Sequence, residues 1–338
     1  MRIYWGIGIG GIVNMIKNLI KWKHQILFRI NMCKTRIQSK SNTVRSSPNK
    51  GKHSRKRKYF IIRFEDKMHC GWTVWERIVL YNSIYAVDHK MIPVVDMQSS
   101  YNIYLEENEI GQVNAWDKFY RQPAGVGLEE ALLSNDYILG DASQKWFDYV
   151  RYRKKKLSDM EYLRCNYQKF ISYNKATEEN LIKRYDEMLA SRNLPSDAKL
   201  LGICLRGTDY KRYHHSKQPT IDLVVDMAKS IYEKYNCDGI FLATEDREIL
   251  ECLNSKLSEF IILSYKAGEV KETNGYVGDV IRQSKSANNA ALDYLTVLYA
   301  LDRCECLFGG LCGATIVAQY KRKQPYKYCN IMDLHESY

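Results

Sequence analysis

Three short stretches carry side chains whose type and spacing suit the handling of a phosphorylated ligand. The first is Leu200–Asp209, LLGICLRGTD, an apolar run ending in Arg206-Gly207-Thr208-Asp209. An arginine leaving a buried strand is rigidly held, and its planar fork can grip a diphosphate at two points. Gly207 lets the chain turn sharply, and Asp209 can fix the arginine or touch a substrate. A plain Arg–Asp ion pair at the strand end is the alternative. The second stretch is Thr244-Glu245-Asp246, after the apolar run 239–243. There Thr244 or Asp246 either caps a following helix or turns a carboxylate toward a ligand. The third is Gly309-Gly310-Leu311-Cys312-Gly313-Ala314-Thr315, read as a turn that opens a helix. Small residues there expose backbone N–H groups at the positive end of a helix, which suits a phosphate. It matches neither the P-loop nor the G-x-G-x-x-G pattern. No D-x-D sequence occurs, so charge neutralisation falls to Arg206 and the helix start rather than to a divalent ion. No metal and no cofactor are expected.

These stretches need elements to position them. YFIIRF (59–64) reads as a strand, 72–89 as an amphipathic helix and 91–97 as a second strand. Residues 99–127 form a polar, aromatic stretch. A short helix near 128–134, a strand near 137–139 and a basic helical region over 145–193 follow. NLPSDA (193–198) looks like a hinge. Beyond it strands at 199–205, 239–243, 260–263, 304–308 and 328–332 alternate with helices at 220–235, 246–256, 289–303 and 313–320. Short apolar strands alternating with helices mean a parallel, doubly wound α/β sheet. Ligands of such sheets bind beyond the carboxyl ends of the strands, where all three stretches fall. The expected units are a basic tail and linker (1–58), a first Rossmann-like domain (59–195) and a second (196–338).

The 338 residues carry a formal net charge of +12. Residues 1–58 hold fifteen Lys or Arg and no acidic residue, which leaves −3 for residues 59–338. The basic character is that of a tail, so the folded part lacks the charge of a nucleic-acid binder, and no nucleic-acid partner is expected. Residues 3–16 are uncharged but too short to span a bilayer. Residues 16–30 mix Ile, Leu, Trp and Phe with Lys and Arg, a composition suited to an anionic membrane surface. A disordered basic leader is the other reading. The ten cysteines sit mostly in apolar runs and read as free thiols of a reducing compartment. Cys304, Cys306 and Cys312 lack the further ligands a zinc site needs. A cytoplasmic protein, peripheral on the inner membrane face, is expected. A Golgi or endoplasmic reticulum lumen is the alternative.

Taken together, ICLRGTD, FLATED (241–246), LDYLTVLYALDRCECLFGG (292–310) and HCGWTVWERIVLYNSIYAVDHKMIPVVD (69–96) resemble the fucosyltransferase superfamily. That superfamily includes α-1,6-fucosyltransferases, nodulation fucosyltransferases and protein O-fucosyltransferases. The resemblance covers about residues 59–338 and extends to bacterial members that build cell-surface polysaccharide. It implies a GT-B fold, two Rossmann-like domains facing across a cleft, and a metal-independent, inverting transfer from a GDP-sugar, usually GDP-fucose. A glycan or lipid-linked glycan would be the acceptor. Arg206 matches the arginine on the β-phosphate, Asp293 an aspartate near the guanine, and Asp246 an acidic pair after a strand. Gly309 and Gly310 fall at the phosphate, with Gly313 and Thr315 at the adjoining helix start. His214 stands where the α-1,6 group places an acidic residue. Asp209, His214, His215 and Glu76 are the candidate general bases. Two positions depart from the pattern: Cys204 replaces a frequent histidine, and Gly309-Gly310 replaces a serine-rich turn. Another nucleotide sugar, such as GDP-mannose or a UDP-sugar, and a non-enzymatic polysaccharide- or nucleic-acid-binding protein acting through the tail are the competing readings.

Overall fold

The structure, a computed structural model, describes residues 57–63, 71–99, 102–106, 108–134, 136–141, 159–207, 217–265 and 286–334. The basic tail up to residue 56, Asp209, His214 and His215 lie outside them.

Two parallel sheets organise the chain. The first joins β1 (Tyr59–Arg63), β2 (Ile92–Val95) and β3 (Tyr137–Asp141) in the order β2-β1-β3. The second joins β4 (Leu200–Cys204), β5 (Gly239–Ala243), β6 (Ile262–Leu263), β7 (Cys306–Gly310) and β8 (Tyr328–Met332) in the order β6-β5-β4-β7-β8. β4, β5 and β7 are buried along their whole length. Their sequences are accordingly continuous apolar runs, as a parallel sheet covered on both faces requires. The strand order reverses between β4 and β7, which opens a crevice at the carboxyl ends of those two strands.

The helices stack in layers. One face of the second sheet packs Leu201, Ile203 and Phe308 against α6 (Ile221–Lys234) and α7 (Arg247–Lys256), through Val224, Ala228, Ile231 and Leu253. Its other face carries α8 (Ala287–Arg303) and α9 (Gly313–Lys321). These pack in turn on α1 (Trp72–Asp88), α4 (Met160–Phe170) and α5 (Lys175–Ala190). Helix α1 also covers β1 and β2, so one apolar cluster runs from Phe60 and Val95 to Leu295 and Leu307. The remaining face of the first sheet is closed by α3 (Leu128–Leu133), with Leu128 and Ala131 against Ile61 and Val94. Helices from the two halves of the chain are thus in apolar contact.

Caps explain most boundaries. The Thr220 hydroxyl accepts the Leu223 N–H at 3.4 Å and starts α6 where expected. Ser286 caps α8 and starts it two residues earlier than the periodicity suggests. The short helix α2 (Ala115–Phe119), absent from the sequence reading, is set by the Asn114 cap. The strand expected at 304–308 instead spans Cys306–Gly310. Cys304 ends α8, its N–H on the Leu301 carbonyl at 3.2 Å. The basic helical region resolves into α4 and α5, with 142–158 outside the described residues. Among the described residues no helix is long and apolar enough to cross a membrane.

Candidate functional site

The candidate site lies at the carboxyl ends of β4 and β7. Arg206 follows β4 by two residues and is half-buried. Its backbone N–H donates to Gln218 Oε1 at 3.0 Å, and its Nε lies 3.3 Å from Glu245 Oε1. The same Glu245 oxygen accepts the Gly207 N–H at 3.0 Å. Glu245 comes from the end of β5, so two adjacent strands fix the arginine between them. Both side chains are less than one-fifth exposed, where the pairing is stronger than at an open surface. Gly207 is needed here, because a Cβ would overlap the Asp246 carboxylate.

Asp246 itself caps α7, accepting the N–H groups of Glu248 at 2.9 Å and Ile249 at 3.2 Å. Of the two sequence readings of this residue, the cap is the arrangement present, and the carboxylate on the arginine belongs to its neighbour Glu245. Gly309 and Gly310 are the last residues of β7 rather than a turn. Gly309 has φ +156°, a backbone that L side chains rarely adopt, and a Cβ there would strike the Cys204 carbonyl. Gly310 lies under the Gln218 carboxamide.

Helix α9 begins beside these strand ends. Cys312 is its N-cap, and the Thr315 hydroxyl accepts the Cys312 N–H at 3.0 Å while lying 3.1 Å from the Gly310 carbonyl. Thr315 is fully buried and closes the turn, so this turn presents backbone rather than hydroxyl groups. A Cβ on Gly313 would sit 2.5 Å from Thr73 Oγ1. Thr73 belongs to the first turn of α1, which starts at Trp72 after Gly71 with no side-chain cap. Two helix N-termini, of α1 and α9, thus meet here, and their positive ends add to the Arg206 charge. Tyr294 of α8 completes the wall. Burial pushes its phenol up, opposed by the Arg206 charge and the Thr73 hydroxyl.

Cys204 and Cys312 touch at the floor, with sulfurs 3.7 Å apart. Their shared hydrogen bond lowers the Cys312 thiol and, with burial, raises that of Cys204. Arg206, Glu245, Gln218, Gly309, Gly310 and Gly313 are brought together. Asp293 stands apart on α8, paired to Arg184 of α5 at 2.8 Å, with the Tyr265 hydroxyl at 3.4 Å. Glu76 is fully buried under Tyr120, whose hydroxyl donates to it at 2.5 Å. A base needs a path to its substrate, and this carboxylate has no solvent-exposed surface. Glu245 was within reach of sequence reasoning, one residue from the position chosen. Gln218 and Thr73 gave no signal, since only the fold brings them to the site. Among the described residues no group of three His, Cys, Asp or Glu side chains could hold a metal ion.

No protein-family model matches the chain, and no curated protein matches it. Solved structures do. Fucosyltransferase NodZ from Bradyrhizobium is 12% identical, covering 79% of this chain and 92% of its own, with a TM-score of 0.43. A NodZ alpha-1,6-fucosyltransferase co-crystallized with GDP gives the same figures. POFUT1 in complex with GDP-fucose is 9% identical, covering 84% of this chain and 100% of its own, with a TM-score of 0.43. Likeness of this degree assigns no role to any residue.

Proposed function

We propose that the protein is a glycosyltransferase that takes its sugar from a nucleoside diphosphate sugar, with GDP-fucose as donor and a glycan as acceptor. The observation that supports this best is Arg206 at the β4–β7 switch point, beside the starts of α1 and α9. A guanidinium and two helix N-termini around one small-residue floor favour a diphosphate. The choice of fucose and guanosine follows the motif resemblance of the sequence. So do the GT-B organisation with domains 59–195 and 196–338, inversion at the anomeric centre, and independence of metal.

In this reading an acceptor hydroxyl attacks the anomeric carbon, the bond from that carbon to the β-phosphate oxygen breaks, and GDP leaves. Arg206 and the α9 start at Gly313 stabilise the charge that builds on the diphosphate. The hydroxyl proton passes to a base, for which Asp209, His214 and His215, in the segment after Arg206, are the candidates. Asp293 would approach the guanine. The basic tail would hold the enzyme on an anionic membrane surface during cell-surface polysaccharide synthesis.

A different nucleotide is the second reading, favoured by Cys204 at the place of a frequent histidine. Thermal shifts of the full chain with GDP, UDP and dTDP separate the two. Release of GDP from GDP-fucose, measured across acceptor glycans, tests the activity. If no nucleoside diphosphate shifts the melting temperature, the transferase reading fails and binding through the basic tail gains.

A further inference from the structure

Two thiols meet on the floor of the Arg206 site, and they come from different elements. Cys204 ends β4 and Cys312 caps α9; both are buried, neither is in a disulfide, and their sulfurs are 3.7 Å apart. A disulfide needs about 2.0 Å, so closing one requires the sulfurs to approach by less than the width of an atom. Gly309 pairs with Cys204 across the β4–β7 ladder and packs on its carbonyl. That ladder holds the two backbones in register, which leaves the approach to side-chain rotation and a shift of the α9 start.

The surroundings make the two sulfurs unequal. Cys312 sits at a helix N-terminus, where its sulfur receives the Thr315 backbone N–H and faces the Thr315 hydroxyl at 3.6 Å. The Cys204 thiol, the Thr315 hydrogen bonds and the nearby Arg206 charge together make the Cys312 thiol more acidic, against the opposing effect of burial. A thiol made more acidic at a helix N-terminus, beside a second thiol held protonated, is a pairing in which a small oxidant can attack one sulfur and the other resolves the product.

We propose that Cys204 and Cys312 are a reversible modification site, a dithiol that closes to a disulfide across the Arg206 site and thereby weakens nucleotide binding there. The effect on binding rests on the nucleotide reading above; the disulfide itself does not. With hydrogen peroxide as oxidant, the Cys312 thiolate attacks one peroxide oxygen, the O–O bond breaks, and hydroxide leaves as water after taking a proton. The Cys204 sulfur then attacks the Cys312 sulfenic acid and displaces its oxygen as a second water. Two thiols and one peroxide thus give one disulfide and two waters. The product pulls the end of β4 toward the start of α9, the two elements that place Arg206 and the helix N–H groups.

The test treats the full-length protein with one to a few equivalents of hydrogen peroxide and maps disulfides by mass spectrometry of unreduced peptides. GDP affinity is measured by calorimetry before oxidation, after it, and after dithiothreitol. The expected result is a 204–312 disulfide, at least a tenfold loss of affinity, and recovery on reduction. Cys204→Ala and Cys312→Ala should each remove both the disulfide and the sensitivity of affinity to peroxide. The Cys237–Cys306 pair, hydrogen-bonded at the amino ends of the strands, is the internal comparison. Oxidation confined to that pair or to the exposed Cys165 and Cys329 overturns the proposal. So does a 204–312 disulfide that leaves GDP affinity unchanged. A 204–312 disulfide in a protein that binds no nucleotide in either state overturns the nucleotide reading and its control, while supporting the modification site.

Discussion

Glu245 holds the Arg206 segment twice: its Oε1 lies 3.3 Å from the arginine Nε and accepts the next residue's N–H at 3.0 Å. The carboxylate thus fixes both the side chain and the backbone turn behind it, and in the proposed function it would act on the diphosphate through Arg206. Arg206→Ala should weaken GDP binding about 10- to 100-fold, the worth of one charge-assisted hydrogen bond to a phosphate. Glu245→Ala should cost less. The double variant should be no worse than Arg206→Ala alone, because the second change removes a support for a side chain already gone. Calorimetry on the three proteins decides it. Losses that simply add would mean that Glu245 touches the nucleotide by itself.

Adjacent glycines at the end of β7 should respond very differently to a methyl group. At Gly309 the added carbon meets the Cys204 backbone carbonyl, and the φ of +156° is itself strained for alanine by about 1–3 kcal/mol. At Gly310 the obstacle is the end of the Gln218 side chain, which can move. Gly309→Ala should therefore lower the melting temperature sharply, and Gly310→Ala only slightly. Gly310→Ala should instead impair GDP binding by displacing Gln218 from the Arg206 N–H. If the two variants melted alike, the ladder around Gly309 would be looser than its geometry states.

The buried ionic group around Glu76 makes a third test. Burial pushes the Glu76 carboxyl up and the Lys321 ammonium down, while their mutual attraction opposes both shifts. Each group keeps other partners, Glu76 the Tyr120 hydroxyl and Lys321 the Tyr173 hydroxyl and the Asp302 charge, so Glu76→Ala or Lys321→Ala should cost about 1–3 kcal/mol. Glu76→Gln with Lys321→Met, neutral and similar in size, should cost much less than either. Because the folded carboxyl binds its proton more tightly than the unfolded chain does, its contribution is complete below the ordinary glutamate value. It is lost as pH rises through the folded value. Glu76→Gln should flatten that part of the pH dependence of the melting temperature, and denaturation at several pH values reads the slope.

Much of this arrangement is written locally in the chain. Gly239–Ala243 is a strand because every residue in it is apolar or small and buried. Thr220 and Asp246 start helices because their side chains reach N–H groups two or three residues on. The errors arose where distant partners decide. The glycines at 309 and 310 look like a turn in isolation, yet β4 and β8 on either side extend β7 through them. Gln218 follows a long polar stretch with no pattern of its own, and only the close approach of Gly310 and the hydrogen bond from the Arg206 N–H give it a place. Thr73 sits in a helix of the first half that is buried on nearly every side rather than along one stripe, so its meeting with Gly313 is a consequence of how α1 stacks on α9.

Asp293 tests how far the motif resemblance reaches into individual residues. It is paired to Arg184 across α5 and α8, with both side chains about one-fifth exposed or less, so the pair is partly desolvated but still screened. Asp293→Ala and Arg184→Ala should each lower stability modestly, on the order of 1 kcal/mol after screening. The double variant should match either single one in a melting experiment, since both remove the same contact. The nucleotide readout separates structure from recognition. If the aspartate also reads guanine, Asp293→Ala should lose GDP affinity while UDP affinity stays the same, and Arg184→Ala should keep the preference for GDP. Equal loss in both variants would reduce Asp293 to a helix-to-helix tie.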